Sequence, residues 1–153
     1  IILDNSTTAM TGMQEHPGTG YTLMGKEAKK VNLNILISAL GIENIRVIDP
    51  NNVKEARIAI KDELASSGPS VIIAQSPCVL FKRANQKPKP PLKVDPDACE
   101  GCRACLELNC PPIAWKKGVT KKGSKRKGIA EIDETLCNGC GLCAQVCKFG
   151  AIG

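Results

Sequence analysis

An α/β segment built on a parallel sheet, followed by a smaller α+β segment rich in cysteine, is the fold class this sequence predicts. Three observations carry it. Residues 1–80 alternate short apolar runs with helical patterns, residues 81–91 ("FKRANQKPKPP") lose almost all apolar character, and from residue 92 a three-cysteine register recurs 38 positions later. "IILD" at the start reads as a strand, after which a loop rich in Gly, Thr and Pro runs to Gly25. In "NLNILISALGI" the residues Leu33, Leu36, Ile37 and Leu40 share one helical face, and Gly41 caps the end. "IRVID" from Ile45 reads as a buried strand closed by Pro50. "VKEARIAIKDELASSG" reads as a helix with Val53, Ala56, Ile60 and Leu64 inward, and "SVIIA" from Ser70 as a further strand. Strand, helix and strand at this spacing imply parallel pairing through right-handed crossovers.

A chain of 153 residues has room for one core and a small satellite. No apolar run approaches the roughly 20 residues of a membrane span, and Ile1-Ile2-Leu3 lacks the basic flank and length of a secretory signal. Nothing points to export, so a cytoplasmic chain with reduced thiols is expected, and its nine cysteines imply metal rather than disulfides. The Asn5-Ser6-Thr7 sequon is then incidental. Charge is concentrated: seven Lys/Arg and no acid lie in Lys116–Lys127, more than the whole net charge of +6, so the remainder is slightly acidic.

The segment 92–153 repeats itself. "DACEGCRACLELNCP" and "ETLCNGCGLCAQVCK" share the register Cys99/Cys102/Cys105 and Cys137/Cys140/Cys143, each preceded by a short strand pattern, "LKVD" and "IAEID". This describes a pseudo-twofold pair of strand–loop–helix units. Three thiolates at C-x2-C-x2-C wrap one iron–sulfur cube and take a fourth ligand from farther along, whereas zinc sites group cysteines in pairs. Two 4Fe-4S clusters are therefore expected. The segment resembles the bacterial two-cluster ferredoxins. That resemblance implies that the fourth cysteine of each run crosses over: cluster 1 takes Cys99, Cys102, Cys105 and Cys147, and cluster 2 takes Cys137, Cys140, Cys143 and Cys110. Two departures stand out. Four residues instead of three precede Cys110, and Lys148 stands where the family usually has Pro; both bear on reduction potential, which charge and hydrogen bonds near sulfur set.

At the other end, "LDN" closes a strand at Asn5 before a Thr-rich loop and "HPGTG". Ligands in open α/β sheets sit beyond the carboxyl ends of strands. An Asn amide oxygen with a loop carbonyl makes hard donors suited to Mg²⁺, and the same residues also make a polar turn that satisfies itself. "GTGYTLMG" does not fit a dinucleotide fingerprint.

"LDNSTTAMTG" at 3–12, "HPGTG" at 16–20 and "PSVIIAQSPC" at 69–78, with the cluster module directly downstream, resemble the thiamine-diphosphate domain of the 2-oxoacid:ferredoxin oxidoreductases, most closely the large (alpha) subunits of the indolepyruvate branch. The resemblance implies that residues 1–80 are the C-terminal portion of a thiamine-diphosphate-binding domain, that 81–91 is a linker and that 92–153 is the two-cluster ferredoxin-like domain. It further implies that Asn5, by its side chain, and Thr7, by its carbonyl, complete an Mg²⁺ site begun upstream by a Gly-Asp-Gly, which this chain lacks. Thr11 and Gly12 would pack the loop against the cofactor. The expected chain is the C-terminal part of a larger subunit, starting inside a strand because its sheet neighbours come earlier.

The implied reaction is oxidative decarboxylation of a 2-oxoacid, an arylpyruvate such as indolepyruvate, with thiamine diphosphate, Mg²⁺ and coenzyme A. Electrons would pass through the clusters to an external ferredoxin in an oxygen-poor cytoplasm. The implied partners are the upstream part of the subunit and a smaller beta subunit; the isolated chain is expected to be inactive. The competing reading is a non-catalytic electron-transfer subunit in which residues 1–80 only dock. His16, the sole histidine, is either a turn residue beside Pro17-Gly18 or a group near the substrate carboxylate or thiazolium. Met10 and Met13 line an aryl pocket or fill a core, Cys78 is a small buried hydrophobe or a redox or ligand residue, and Trp115 covers a cluster or relays electrons. "KKGVTKKGSKRKG" is a solvated hairpin or a docking site for an acidic electron carrier. Nucleic acid is disfavoured because no stacking aromatics surround it, and no membrane partner is expected.

Overall fold

The computed structural model describes residues 1–81, 89–119 and 127–153. The chain separates into two compact units that divide between residues 86 and 87. Most of the expected linker at 81–91 and the centre of the Lys116–Lys127 stretch lie outside the described residues.

The first unit is a three-stranded parallel sheet in the order β1 (Ile2–Asp4), β3 (Ser70–Gln75), β2 (Asn44–Ile48), with α1 (Leu33–Ala39) and α2 (Val53–Ala65) between strands. Register pairs Ile2 with Ile73 and Val47 with Ile73, so these side chains share one face; Leu3, Ala74 and Ile48 share the other. Both helices start on an asparagine whose Oδ1 accepts a backbone N–H, Asn32 from Ile35 and Asn52 from Glu55, each at 3.2 Å. Such caps are typically worth about 1 kcal/mol. Gly41 turns the chain out of α1 at φ +83° and donates its N–H to the Ser38 carbonyl.

The core of this unit is Ile48, Ile72, Ala74 and Ala59, with Ala56 against it. The inward face of α2 is therefore Val53, Ala56 and Ala59, and the expected Ile60 and Leu64 are exposed, Leu64 at 82%. Ala59, at 1% exposure, is what lets the helix backbone approach the strands; hydrophobicity ranks Ile and Leu above Ala and so misjudges the phase. On α1 only Ile37 is buried, and Leu36 and Leu40 are exposed. Leu3 on β1 is 79% exposed because α2 covers β2 and β3 and not the β1 edge.

The second unit pairs β4 (Ile113–Lys117) with β5 (Gly128–Ile132) in antiparallel register and carries, among the described residues, one short α-helix, α3 (Leu142–Val146). Its core is Ala130, Ile132 and Ile152 with Cys105 and Cys143. The pseudo-twofold is partial. "IAEID" becomes β5, while "LKVD" contributes only a single antiparallel bridge, Val94 to Ile152. Where the second cysteine run ends inside α3, which holds Cys143, the first is followed by one 3-10 turn at Leu106–Leu108, ended by Asn109 at φ +50°. The extra residue before Cys110 is taken up in that left-handed step. Among the described residues no helix is long and apolar enough to cross a membrane.

Candidate metal centres and cofactor loop

The two cysteine runs wind alike because the same two positions in each adopt left-handed backbone: Gly101 (φ +63°) and Arg103 (+66°) in the first, Gly139 (+68°) and Gly141 (+84°) in the second. Gly139 has a further constraint, since a Cβ there would lie 2.5 Å from the Pro90 carbonyl oxygen. The winding turns successive thiols toward common cavities. Cys99, Cys102, Cys105 and Cys147 line one, and Cys110, Cys137, Cys140 and Cys143 line another, so the crossover sets expected for the clusters are each gathered around a separate space. All nine cysteines are free thiols.

Electrostatics follows the same grouping. Burial pushes the Cys105 thiol above its ordinary range, and the sulfurs of Cys102, Cys99 and Cys147 add to this against a backbone hydrogen bond that lowers it. Burial likewise raises Cys143 and Cys110, and in both cases the neighbours that add to the shift are Cys140 and Cys137. Four sulfurs lining one cavity are a soft donor set that fits iron–sulfur ligation once they are deprotonated. Two amides already point at sulfur: Leu92 N–H at 3.5 Å from Cys137 Sγ and Ala151 N–H at 3.4 Å from Cys147 Sγ. Among the described residues no three of His, Cys, Asp or Glu converge tightly enough for one metal ion. A cube spreads its ligands over four separate irons, which requires wider spacing than a mononuclear site.

At the end of β1 the parallel ladder continues past the strand, with Ser76 N–H donating to Asp4 O and Cys78 N–H to Asn5 O, both at 3.0 Å. This fixes Asn5. Ser6 then turns at φ +64°, a strained value for a residue with a Cβ, and the Asn5 Oδ1 accepts the Thr7 N–H at 3.2 Å. Thr7 is 3% exposed and its hydroxyl donates to the Gln14 carbonyl. Thr8 and Gln14 pair across the loop, so Asn5 and Thr7 stand at its base, while Thr11 and Gly12 form an exposed tip with the Thr11 hydroxyl on Gln14 Oε1. Met10 at the tip is 97% exposed and fills no core. An amide oxygen accepting one hydrogen bond retains a second lone pair, so the Asn5 oxygen fits a hard cation even inside its turn.

His16 closes its own turn: Gly18 N–H donates to Nδ1 at 3.1 Å, which leaves Nε2 as the nitrogen that carries the proton. It lines a cleft of the first unit with Asp4, Lys30, Asn32, Ile73 and Gln75. Asp4 and Gln75, joined by a 2.8 Å hydrogen bond, were not legible as site residues because they are distant in sequence and meet only through the β1–β3 register. Arg103 was also passed over. Its signal was available, as the residue standing in the first run where the second has Gly141.

Comparison with known proteins adds two family matches. The model of the thiamine pyrophosphate enzyme C-terminal TPP-binding domain matches residues 1–74, and that of the 4Fe-4S binding domain matches residues 130–153, which include the second cysteine run and Cys147 but not the first run. The chain is 37% identical over 156 residues to indolepyruvate oxidoreductase subunit IorA of Pyrococcus horikoshii, covering 99% of this chain and 23% of that protein. The corresponding subunit of Thermococcus kodakarensis is 38% identical, and that of Methanothermobacter marburgensis 36%, with the same coverage. The chain thus spans about a quarter of the length of these curated relatives. No solved structure matches it.

Proposed function

We propose that this chain, 37–38% identical over 99% of its length to indolepyruvate oxidoreductase subunits and matched over residues 1–74 by a thiamine pyrophosphate enzyme domain, is part of a large subunit of a 2-oxoacid:ferredoxin oxidoreductase and serves the coenzyme A-dependent oxidative decarboxylation of an arylpyruvate. In balance, one 2-oxoacid, one coenzyme A and two oxidised ferredoxins give one acyl-coenzyme A, one CO2, one proton and two reduced ferredoxins. The observation that carries the reading is the union, in one chain, of a thiamine-pyrophosphate-enzyme match with two sets of four thiols.

Thiamine diphosphate, when bound, supplies the carbon nucleophile that makes a 2-oxoacid lose CO2. This chain's part is to hold and to conduct. The Asn5 Oδ1 and Thr7 carbonyl provide hard oxygens for the Mg²⁺ that carries the diphosphate, fixed by the ladder bonds behind Asn5. Thr11 and Gly12 cover the cofactor from the loop tip once the upstream part of the subunit is in place. His16 offers an Nε2–H toward the cleft at the end of β1, suited to a substrate carboxylate. Cys99, Cys102, Cys105 and Cys147 hold one 4Fe-4S cluster, and Cys110, Cys137, Cys140 and Cys143 the other, which together split a two-electron oxidation into single steps. External ferredoxin docks by charge on the Lys116–Lys127 stretch. The upstream sequence and a smaller beta subunit complete the enzyme, and the 153-residue piece alone has no turnover.

The test is turnover by the complete subunits: arylpyruvate-dependent ferredoxin reduction that requires both coenzyme A and thiamine diphosphate. One observation favours the alternative of a non-catalytic electron-transfer module. The Asn5 and Asp4 side chains already accept the N–H groups of Thr7 and Ser6, as a purely structural turn would. Calorimetry with thiamine diphosphate and Mg²⁺ on the chain joined to its upstream sequence separates the two, because only the enzyme reading predicts saturable binding.

A further inference from the structure

The two thiol cavities have different walls. That of Cys99, Cys102, Cys105 and Cys147 also presents Glu100, Arg103 and Trp115, whereas among the described residues no charged side chain lines that of Cys110, Cys137, Cys140 and Cys143. The Arg103 guanidinium lies over the Trp115 ring, 4.3 Å from its centroid, which is cation–π contact. Trp115 in turn packs on Gly128, where a Cβ would come within 2.6 Å of two ring atoms, so only glycine admits the indole there.

The backbone at Arg103 adds an independent observation. The first left-handed position of each run is glycine, Gly101 and Gly139, and the second is glycine only in the second run. The first run keeps Arg103 at φ +66° where its counterpart Gly141 adopts +84° without a Cβ to strain. Strain of this kind persists where a side chain gains something from being held there. What Arg103 gains is a fixed seat for its charge beside four sulfurs.

We propose that Arg103, positioned by Trp115, raises the reduction potential of the cluster held by Cys99, Cys102, Cys105 and Cys147 above that of the other, so that a single electron rests first on that centre. Adding one electron makes a cluster more negative by one charge, and a cation fixed nearby favours the reduced form. That electron enters from the oxidised substrate and leaves to the external carrier, so no other reactant is needed. Glu100 on the same wall carries the opposite charge and acts in the opposite sense. The inference rests on the cluster assignment proposed above.

The experiment is an anaerobic EPR-monitored redox titration of the complete subunit carrying wild-type, Arg103→Gly, Arg103→Lys or Glu100→Gln sequence, with iron and sulfide measured on each sample. Arg103→Gly relieves the backbone, so it is expected to fold with the full iron content, about eight per chain for two 4Fe-4S centres. Expected are two one-electron waves in the wild type, the higher one moved to lower potential by Arg103→Gly, largely kept by Arg103→Lys and moved upward by Glu100→Gln, with the lower wave unmoved. Unchanged waves in Arg103→Gly at full iron content would overturn the proposal, as would an Arg103→Lys shift equal to that of Arg103→Gly. Iron absent from the wild type would instead overturn the cluster assignment on which the proposal stands.

Discussion

Asn5 is the residue on which the cofactor reading turns, because its backbone is locked by Cys78 while its side chain stays at the mouth of the loop. Asn5→Ala in the complete subunit is expected to weaken thiamine diphosphate binding at limiting Mg²⁺ by about tenfold or more, that is 1.4 kcal/mol or above, as read by calorimetry. Thr7→Val separates structure from ligation. It removes the hydroxyl bond to Gln14 and keeps the carbonyl, so it should cost about 1 kcal/mol of stability and leave cofactor affinity near wild type. Asp133 sets a local pH dependence. The Thr135 hydroxyl, then the Thr135 and Leu136 N–H groups, hold its carboxyl below the ordinary range in the turn that leads to Cys137. A depressed carboxylate contributes its stability above the unfolded value and loses it as pH falls through the folded one. The melting temperature of Asp133→Asn is therefore expected to lie below wild type at neutral pH and to converge with it in acid.

Among the elements, the strands were legible because "IILD", "IRVID" and "SVIIA" are apolar runs of strand length, bounded by turn residues. The helix faces were less so. The phase of α2 is decided by where Ala59 allows close approach to Ile48, Ile72 and Ala74, a steric fact that hydrophobicity does not carry. Ala59→Leu is accordingly expected to destabilise by about 1–3 kcal/mol through overpacking, whereas Leu64→Ala, on the exposed face, should change the stability of this chain by no more than about 0.5 kcal/mol. Chemical denaturation of both variants checks the pair. β4 was missed since "IAWKK" offers too short an apolar pattern and becomes a strand only by pairing with β5. The cysteine sites were the most legible part, because a C-x2-C-x2-C spacing constrains ligand geometry directly, while the cleft of Asp4, His16 and Gln75 exists only after the sheet has formed.

At the scale of the whole molecule, two units of different chemistry share one chain, one matching a thiamine-enzyme domain and one built around clustered thiols. If the cationic stretch receives the electron carrier, ferredoxin reduction should slow as ionic strength rises; a rate that ignores salt would remove that docking role. The central claim is that the thiamine site and the clusters belong to one electron path. The measurement that tests it most directly is freeze-quench EPR of the complete enzyme mixed anaerobically with an arylpyruvate. The account predicts spin-coupled signals of reduced 4Fe-4S centres within turnover time, dependent on thiamine diphosphate and diminished by Asn5→Ala. Clusters that stay oxidised in the presence of substrate and thiamine diphosphate, or that are reduced equally well without the cofactor, would contradict it.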